Sequence, residues 1–289
     1  MKRRALILLL LPALAAAQRH REPRSWRVED REKIDRSFTF SGGDPHKLLV
    51  DNINGYVHVT GTAGSQVQVS VAKHVGAESD AAMAEAKRDV KLDLSQQGNF
   101  VRLYVDGPFR NQNGVNYRGD EYYGYRVTFD YDIQVPHDTE LVLKTVSDGT
   151  IEVRKTSGDF TISGVNGGID VSELSGSGVI RTVNGPVKAA FTRNPTKPSE
   201  FRSVNGSVDV YFQPSLNADL DFRTINGGVY TDFDVTTRPV QSAGTTENVN
   251  GKFLYRVDRR NMAARAGSGG PELKFDTING AIRLHSKGL

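Results

Sequence analysis

The sequence predicts an all-β fold, a parallel β-helix or β-roll solenoid with a strand block in front of it. Three observations predict it. A β-branched residue followed by Asn-Gly recurs with Asn at 54, 166, 184, 205, 226, 250 and 279, and an eroded copy stands at Val146-Ser147-Asp148-Gly149. From position 148 through 166, 184, 205, 226, 250 and 279, the steps are 18, 18, 21, 21, 24 and 29 residues, the period of a stacked supersecondary unit. The copies share a ten-place pattern of apolar, any, Thr/Ser/Asn, Val/Ile, Asn, Gly, any, apolar, any, apolar, and Phe201 to Val210 and Phe275 to Leu284 fit it throughout.

An antiparallel β-meander or sandwich is the alternative, because Asn-Gly between alternating strands is also the strongest short hairpin signal. A two-residue hairpin would put place four on the same face as places two, seven and nine, which are mostly Arg, Lys, Asp, Ser or Gly. Place four is always Val or Ile. At the corner of a coil the in/out parity can break, which would let place four point inward and let the asparagine amides bond from coil to coil.

In chain order, Lys2-Arg3-Arg4, the apolar run Ala5–Leu14 and Ala15-Ala16-Ala17 have the layout of a cleavable secretory signal over residues 1–17, too short to span a bilayer. Residues 18–36, charged and poor in apolar positions, read as a flexible leader. Residues 37–140 form a β-rich region. Strands are expected at 37–40, 47–53, 56–60, 66–73, 91–95, 100–105 and 125–135 from period-2 alternation. A helix is expected at 78–90, where Ala81, Ala82, Met83, Ala84 and Ala86 follow the N-cap candidates Ser79 and Asp80. Residues 106–124 hold Pro108, Gly114 and Gly119 without periodicity and read as a long exposed loop. The repeats then occupy residues 141–289.

Charge and composition narrow the function. The full chain carries 37 Lys and Arg against 34 Asp and Glu. Removing residues 1–17 takes three basic residues and no acidic ones, leaving 34 against 34, so the charge balance points to no nucleic-acid partner. With no cysteine, an exported chain has no disulfides.

An exported chain with Asp51-Asn52-Ile53-Asn54-Gly55 in an opening strand block, an Ala/Glu-rich helix, a strand ending at Val135-Pro136 and serial Thr-Val-Asn-Gly units resembles the bacterial envelope proteins known as the putative adhesin family. The resemblance covers about Ser37 to the end. It implies a right-handed solenoid outside the cytoplasm, in the periplasm or at the cell surface, and supplies no catalytic residue.

No nucleophile elbow, phosphate loop or dinucleotide fingerprint is present, and the sequence implies no cofactor. His20, His46, His58, His74, His137 and His285 lack metal-ligand spacing. Alternating carboxylates, Asp130/Asp132, Asp219/Asp221 and Asp232/Asp234, share a strand face. They are the basis of an alternative reading as a carbohydrate-active enzyme, against the solvent face of a strand as the plain one. Distinctive surface chemistry is confined to the loop, where Tyr117, Arg118, Asp120, Tyr122, Tyr123 and Tyr125 are the candidate binding residues. Tyrosine offers contact area at low entropy cost. The expected function is a non-catalytic adhesion, binding or structural module whose partner is an envelope protein or glycan.

Overall fold

The computed structural model describes residues 25–286 apart from 44, 112–113, 148, 240–244, 250–251 and 257–260, so residues 1–17 lie outside it. The amino-terminal block comprises β1 (Val28–Thr39), β2 (Lys47–Asp51), β3 (Val57–Thr62), β4 (Gln66–Ala77), α1 (Asp80–Asp89), β5 (Lys91–Gln97), β6 (Phe100–Asp106), the short β7 (Arg110–Asn111) and β8 (Gly114–Val115), the single turn α2 (Asp120–Tyr123) and β9 (Tyr125–Pro136). Strand pairs come next: β10 (Glu140–Thr145) and β11 (Ile151–Arg154), β12 (Phe160–Gly164) and β13 (Ile169–Leu174), β14 (Gly178–Asn184) and β15 (Val187–Phe191), β16 (Ser199–Asn205) and β17 (Val208–Tyr211), β18 (Ala218–Asn226) and β19 (Val229–Thr231). After β20 (Val235–Arg238), β21 (Thr245–Val249), β22 (Lys252–Arg256) and β23 (Asn261–Ala266), the last pair is β24 (Glu272–Asn279) and β25 (Ile282–His285).

The chain is all-β in two large mixed sheets. One has ten strands in the order β1-β4-β9-β3-β11-β13-β15-β17-β25-β19, the other eleven in the order β20-β23-β18-β24-β16-β14-β12-β10-β2-β6-β5. The strand before each stacked Asn-Gly lies in the larger sheet and the strand after it in the smaller one. These Asn-Gly pairs are therefore corners between sheets, and no hairpin forms at them. The two-strand rungs pair in parallel and in register with one another, as Phe201↔Phe275 and Val208↔Ile282 show, apart from a register shift between β13 and β15 after Val171.

The stack orders itself side chain by side chain. Asn184 Nδ2 donates to Asn166 Oδ1 at 2.8 Å, Asn205 to Asn184 at 2.8 Å, Asn279 to Asn205 at 2.7 Å and Asn226 to Asn279 at 2.7 Å. The glycines behind them need to be glycines. A Cβ at Gly149, Gly167, Gly185, Gly206, Gly227 or Gly280 would stand 1.8 to 2.5 Å from the carbonyl oxygen of the glycine one rung away. Inside, the rings of Phe201, Phe275 and Phe222 stack with centroids 5.4 and 5.3 Å apart. Phe191, from the other sheet, and Phe212, just past the end of β17, meet Phe201 edge-on.

Several expectations need correction. In the stacked copies place four does not turn inward, since Val165, Val183 and Ile225 are each 37% exposed, whereas Ile53 of the first copy is buried. The inward residue is place three, whose hydroxyl caps the neighbouring corner. Thr182 donates to the Gly167 carbonyl at 2.9 Å, Ser203 to Gly185 at 2.8 Å and Thr277 to Gly206 at 2.9 Å. Place one and place three alternate inward, and the corner resets parity so that places eight and ten point in as well. Asn54 stands apart from the amide ladder, buried, with Nδ2 on the Val127 carbonyl. Asn250 lies outside the described residues, and the strands flanking it, β21 and β22, pair antiparallel as a sheet of their own.

The leader expected over 18–36 is overtaken from Val28 by β1, which pairs with β4 along its whole length. Its charges, Glu29 to Arg36, hide the strand because both faces are largely exposed, and they protect an edge that would otherwise template aggregation. Trp26 packs over Gly76, where a Cβ would come within 2.2 Å of the indole. The boundary expected between 140 and 141 is not a break, since β10 pairs with β2 and β11 with β3. Helix α1 does form, capped by Ser79 Oγ accepting from Ala82 N at 3.2 Å, and it buries Met83 and Ala86.

Thr277→Val keeps the shape at place three and removes the hydroxyl, leaving the Gly206 carbonyl short of a partner; a loss of about 1–3 kcal/mol in urea unfolding is expected. Asn205→Ala breaks two ladder bonds and Asn226→Ala one. At about 0.5–1.5 kcal/mol per bond, the first is expected to destabilise roughly twice as much as the second, measured the same way.

Candidate functional site: the aromatic loop

The connection from β6 to β9 carries the chain from the larger sheet to the smaller one, and its side chains close over the polar corner at Asp51–Asn54. Arg110 is its first anchor. It donates to the Val105 carbonyl at 2.9 Å, to the Asp51 carbonyl at 3.1 Å and to Asp51 Oδ1 at 2.8 Å, with its guanidinium 4.4 Å over the Tyr104 ring. Asn52 sits beneath, its Nδ2 shared among the carbonyls of Asn54, Gly55 and Phe129 at 2.9 to 3.2 Å. A buried amide spread over three acceptors fixes this corner without a ladder partner.

Phe109 is the apolar anchor, 5% exposed. Tyr117 and Tyr123 meet it edge-on at 6.1 and 6.4 Å, stack on each other at 5.9 Å, and Tyr123 continues to Tyr125 at 5.7 Å. The Tyr117 hydroxyl donates to Asp120 Oδ1, and Asp120 Oδ2 pairs with Arg126 Nε at 2.8 Å. Burial, then the Asp120 carboxylate, pushes the Tyr117 phenol well above its usual range. The loop ends in α2, between Gly119 and Gly124, both at positive φ, and the Gly124 carbonyl accepts from Glu78 N at 3.0 Å.

The six candidate residues therefore divide. Tyr125 is 2% exposed and belongs to the core, with burial pushing its phenol up to about 12. Tyr117 and Asp120 hold the loop together, and Tyr123 is its half-buried centre. Only Arg118 and Tyr122 face outward: Tyr122 is 61% exposed and the Arg118 guanidinium lies 4.8 Å over its ring. The Arg118-Gly119-Asp120 tripeptide presents no free carboxylate, since Asp120 is tied to Tyr117 and Arg126. Sequence reasoning missed Phe109, Arg110 and Arg126, and only the apolar residue after Pro108 could have signalled the anchor.

Asp130/Asp132 and Asp219/Asp221 stand on outer sheet faces, whereas Asp232/Asp234, expected to share a strand face, lie in the connection between β19 and β20. Asp219 is held by Arg265 at 2.8 Å and Arg238 at 3.4 Å, and the Arg265 hydrogen bond keeps its carboxyl below the usual range. Asp221 lies in a groove of about 590 Å³ lined in part by Glu272, Lys274, Arg238 and Met262. Burial, then the hydrogen bond with Glu272, pushes its carboxyl up. Asp130 is also raised, chiefly by burial, while its Oδ1 accepts from Tyr56 N at 3.0 Å. Asp232 and Asp234 are exposed. Of the histidines, His20 lies outside the described residues. His46, His58 and His285 stack on Phe40, Tyr56 and Tyr211 and sit beside carboxylates.

No family model and no curated protein matches the chain. Among solved structures it is similar to a putative cell adhesion protein from Clostridium sporogenes, at 12% identity over 89% of this chain and 100% of that one, with a TM-score of 0.45. It is also similar to a putative adhesin from Bacteroides fragilis, at 13% identity over 88% and 96% of the two chains, with a TM-score of 0.37. A putative lipid binding protein from Parabacteroides distasonis gives 11% identity, 89% and 95% coverage and a TM-score of 0.26.

A carboxyl whose folded pKa exceeds its unfolded one supports the fold fully below the unfolded pKa and loses that support as pH rises through the folded pKa. Asp221→Asn is therefore expected to stabilise the chain at about pH 7 and to change little at about pH 3. Urea unfolding at the two pH values checks this, and an equal gain at both would assign the effect to packing.

Proposed function

We propose that the chain is a non-catalytic binding module of the bacterial envelope, exported by residues 1–17 and built on a right-handed β-solenoid, which holds an envelope glycan or protein at the aromatic loop. The in-register parallel rungs support the solenoid reading. One observation carries the binding site: the outward pair Arg118 and Tyr122, mounted on a packed base of Phe109, Tyr117 and Tyr123. An exposed aromatic ring backed by a guanidinium offers a flat apolar face with a polar rim, the chemistry that recognises a sugar ring or a peptide side chain. Its base is held by buried contacts, so little ordering entropy is lost on binding. No described helix is long and apolar enough to cross a membrane.

The enzyme reading keeps one specific observation, the neighbouring carboxyls of Asp219 and Asp221 pushed in opposite directions. Environments that separate two carboxyls in this way are a mark of acid–base pairs. Screening polysaccharides with the wild type and an Asp219→Asn/Asp221→Asn double variant separates the two readings, because turnover abolished in the variant would decide for the enzyme.

For the binding reading, the full chain is applied to a glycan array and to fixed bacterial cells. Arg118→Ala/Tyr122→Ala is expected to weaken capture by about tenfold or more at unchanged melting temperature, in line with a desolvated aromatic hot spot. Tyr117→Phe is expected to lower the melting temperature first. Unchanged capture by the double variant would remove the loop as the site.

A further inference from the structure

The order of the rungs departs from the order of the chain. The last pair, β24 and β25, does not add to the end of the stack; it lies between β16/β17 and β18/β19. Its register matches on both sides, with Phe275 between Phe201 and Phe222, Thr277 between Ser203 and Thr224, and Asn279 between Asn205 and Asn226. The outer-face charges show why this place is its own. Lys274 stands between Glu200 and Asp221, with its Nζ on Glu272 Oε2 of its own strand at 2.8 Å, and Asp276 stands between Arg223 and Arg202, pairing with the latter at 3.8 Å. In the other sheet Arg283 pairs with Asp209 at 3.1 Å.

Were the last rung absent, closing β18 onto β16 would set Glu200 beside Asp221 and Arg202 beside Arg223. Like charges directly opposite on paired strands destabilise the pairing. The slot thus selects a rung with the charge order of residues 272–285 and resists collapse without it. Glu272 runs against this order, set beside Asp219 and hydrogen-bonded with Asp221. The rung is joined to β23 only by Gly267-Ser268-Gly269-Gly270-Pro271, with positive φ at Gly267 and Gly269. Such a glycine-rich link can swing β24 and β25 to a new direction at little steric cost once Ser268 leaves Asn217 Oδ1, to which its N and Oγ donate at 2.9 and 3.0 Å, and the Pro271 carbonyl leaves Asp219 N at 3.1 Å.

We propose that this slot is an interaction site for a second copy of the chain, whose residues 272–285 enter it in place of the resident rung. The partner's segment would make the same amide bonds, ring stacks and ion pairs, so exchange costs only the changed link and the association. Strand exchange of this kind is a low-cost route to a dimer.

The chain has no cysteine, so the test is direct. A copy carrying Asn205→Cys is mixed in denaturant with a copy carrying Asn279→Cys, and the two full-length chains are refolded together with oxidised glutathione over a range of concentrations. Neighbouring positions in a parallel ladder lie about 4.8 Å apart, within disulfide reach. A covalent heterodimer linked between positions 205 and 279 is expected, its yield rising with concentration. Reversing the donor's charges with Lys274→Asp/Asp276→Lys is expected to cut that yield by about tenfold, because it breaks the Asp276–Arg202 pair and sets like charges opposite Glu200, Asp221, Arg202 and Arg223. If the ladder substitutions prevent folding, Asp209→Cys with Arg283→Cys makes the same measurement from the other sheet. No heterodimer at any concentration, or a yield indifferent to the reversed charges, overturns the proposal.

Discussion

The contact on which the rest of this structure depends is the one between glycines of neighbouring corners. Each stacked glycine lies with its α-carbon against the carbonyl oxygen of the glycine one rung away, closer than any side chain would allow. That approach fixes the corner's height and register together. Once it is fixed, the asparagines beside it fall into amide contact, the place-three hydroxyls reach the glycine carbonyls, and the place-one phenylalanines stack. Ring stacking and apolar burial supply most of the stabilisation. The glycine contact decides which residues can take part in it. The inward residues of places one, three, eight and ten are apolar or hydroxyl-bearing, and the charged residues stand on the outer faces.

Much of this was legible in the sequence, because a repeat writes its corner chemistry several times over. The spacing of Asn166, Asn184 and Asn205 carries the stack, and the strands from 47 to 135 follow from alternation. The misreadings have physical causes. Val/Ile at place four suggested burial, yet β-branched residues also suit an exposed, stacked strand column. Strand β1 was hidden because a protected edge needs charge on both faces. Val249-Asn250-Gly251 spells the same phrase as the corners, and the strands that flank it, β21 and β22, pair with each other instead of joining the two large sheets. Rung order could not be read from spacing at all. Equivalent rungs share one pattern, and only the charges at Lys274 and Asp276 distinguish where the last one belongs.

The candidate site was legible as a cluster of tyrosines, and its division of labour was not. The four tyrosines look alike in sequence and Arg118 and Asp120 look equally free, but their roles depend on which of them meets Phe109 and Arg126. Tyr125 is consumed by the core because it opens β9 on the inward face. Asp120 is consumed by Tyr117 and Arg126. What is left outward, Arg118 and Tyr122, is smaller than the sequence suggests and more rigidly mounted. A loop with its own aromatic core resembles a compact, self-packed surface element more than a flexible tether.

The loop and the exchange slot occupy opposite ends of the stack. The loop joins β6 and β9, near the ends formed by β5 and β1, while the last rung lies one place from β19 at the far end. Two copies that exchange their last rungs would therefore be joined at their far ends, with their aromatic loops pointing away from the junction. A module whose single outward pair binds weakly gains from this arrangement without any new ligand contact, because the second loop binds at a concentration set by the distance between sites rather than by bulk. The corner contacts tie neighbouring rungs within each stack, so the spread of that distance is set at the junction, by the links over residues 267–271 that pass from one copy to the other.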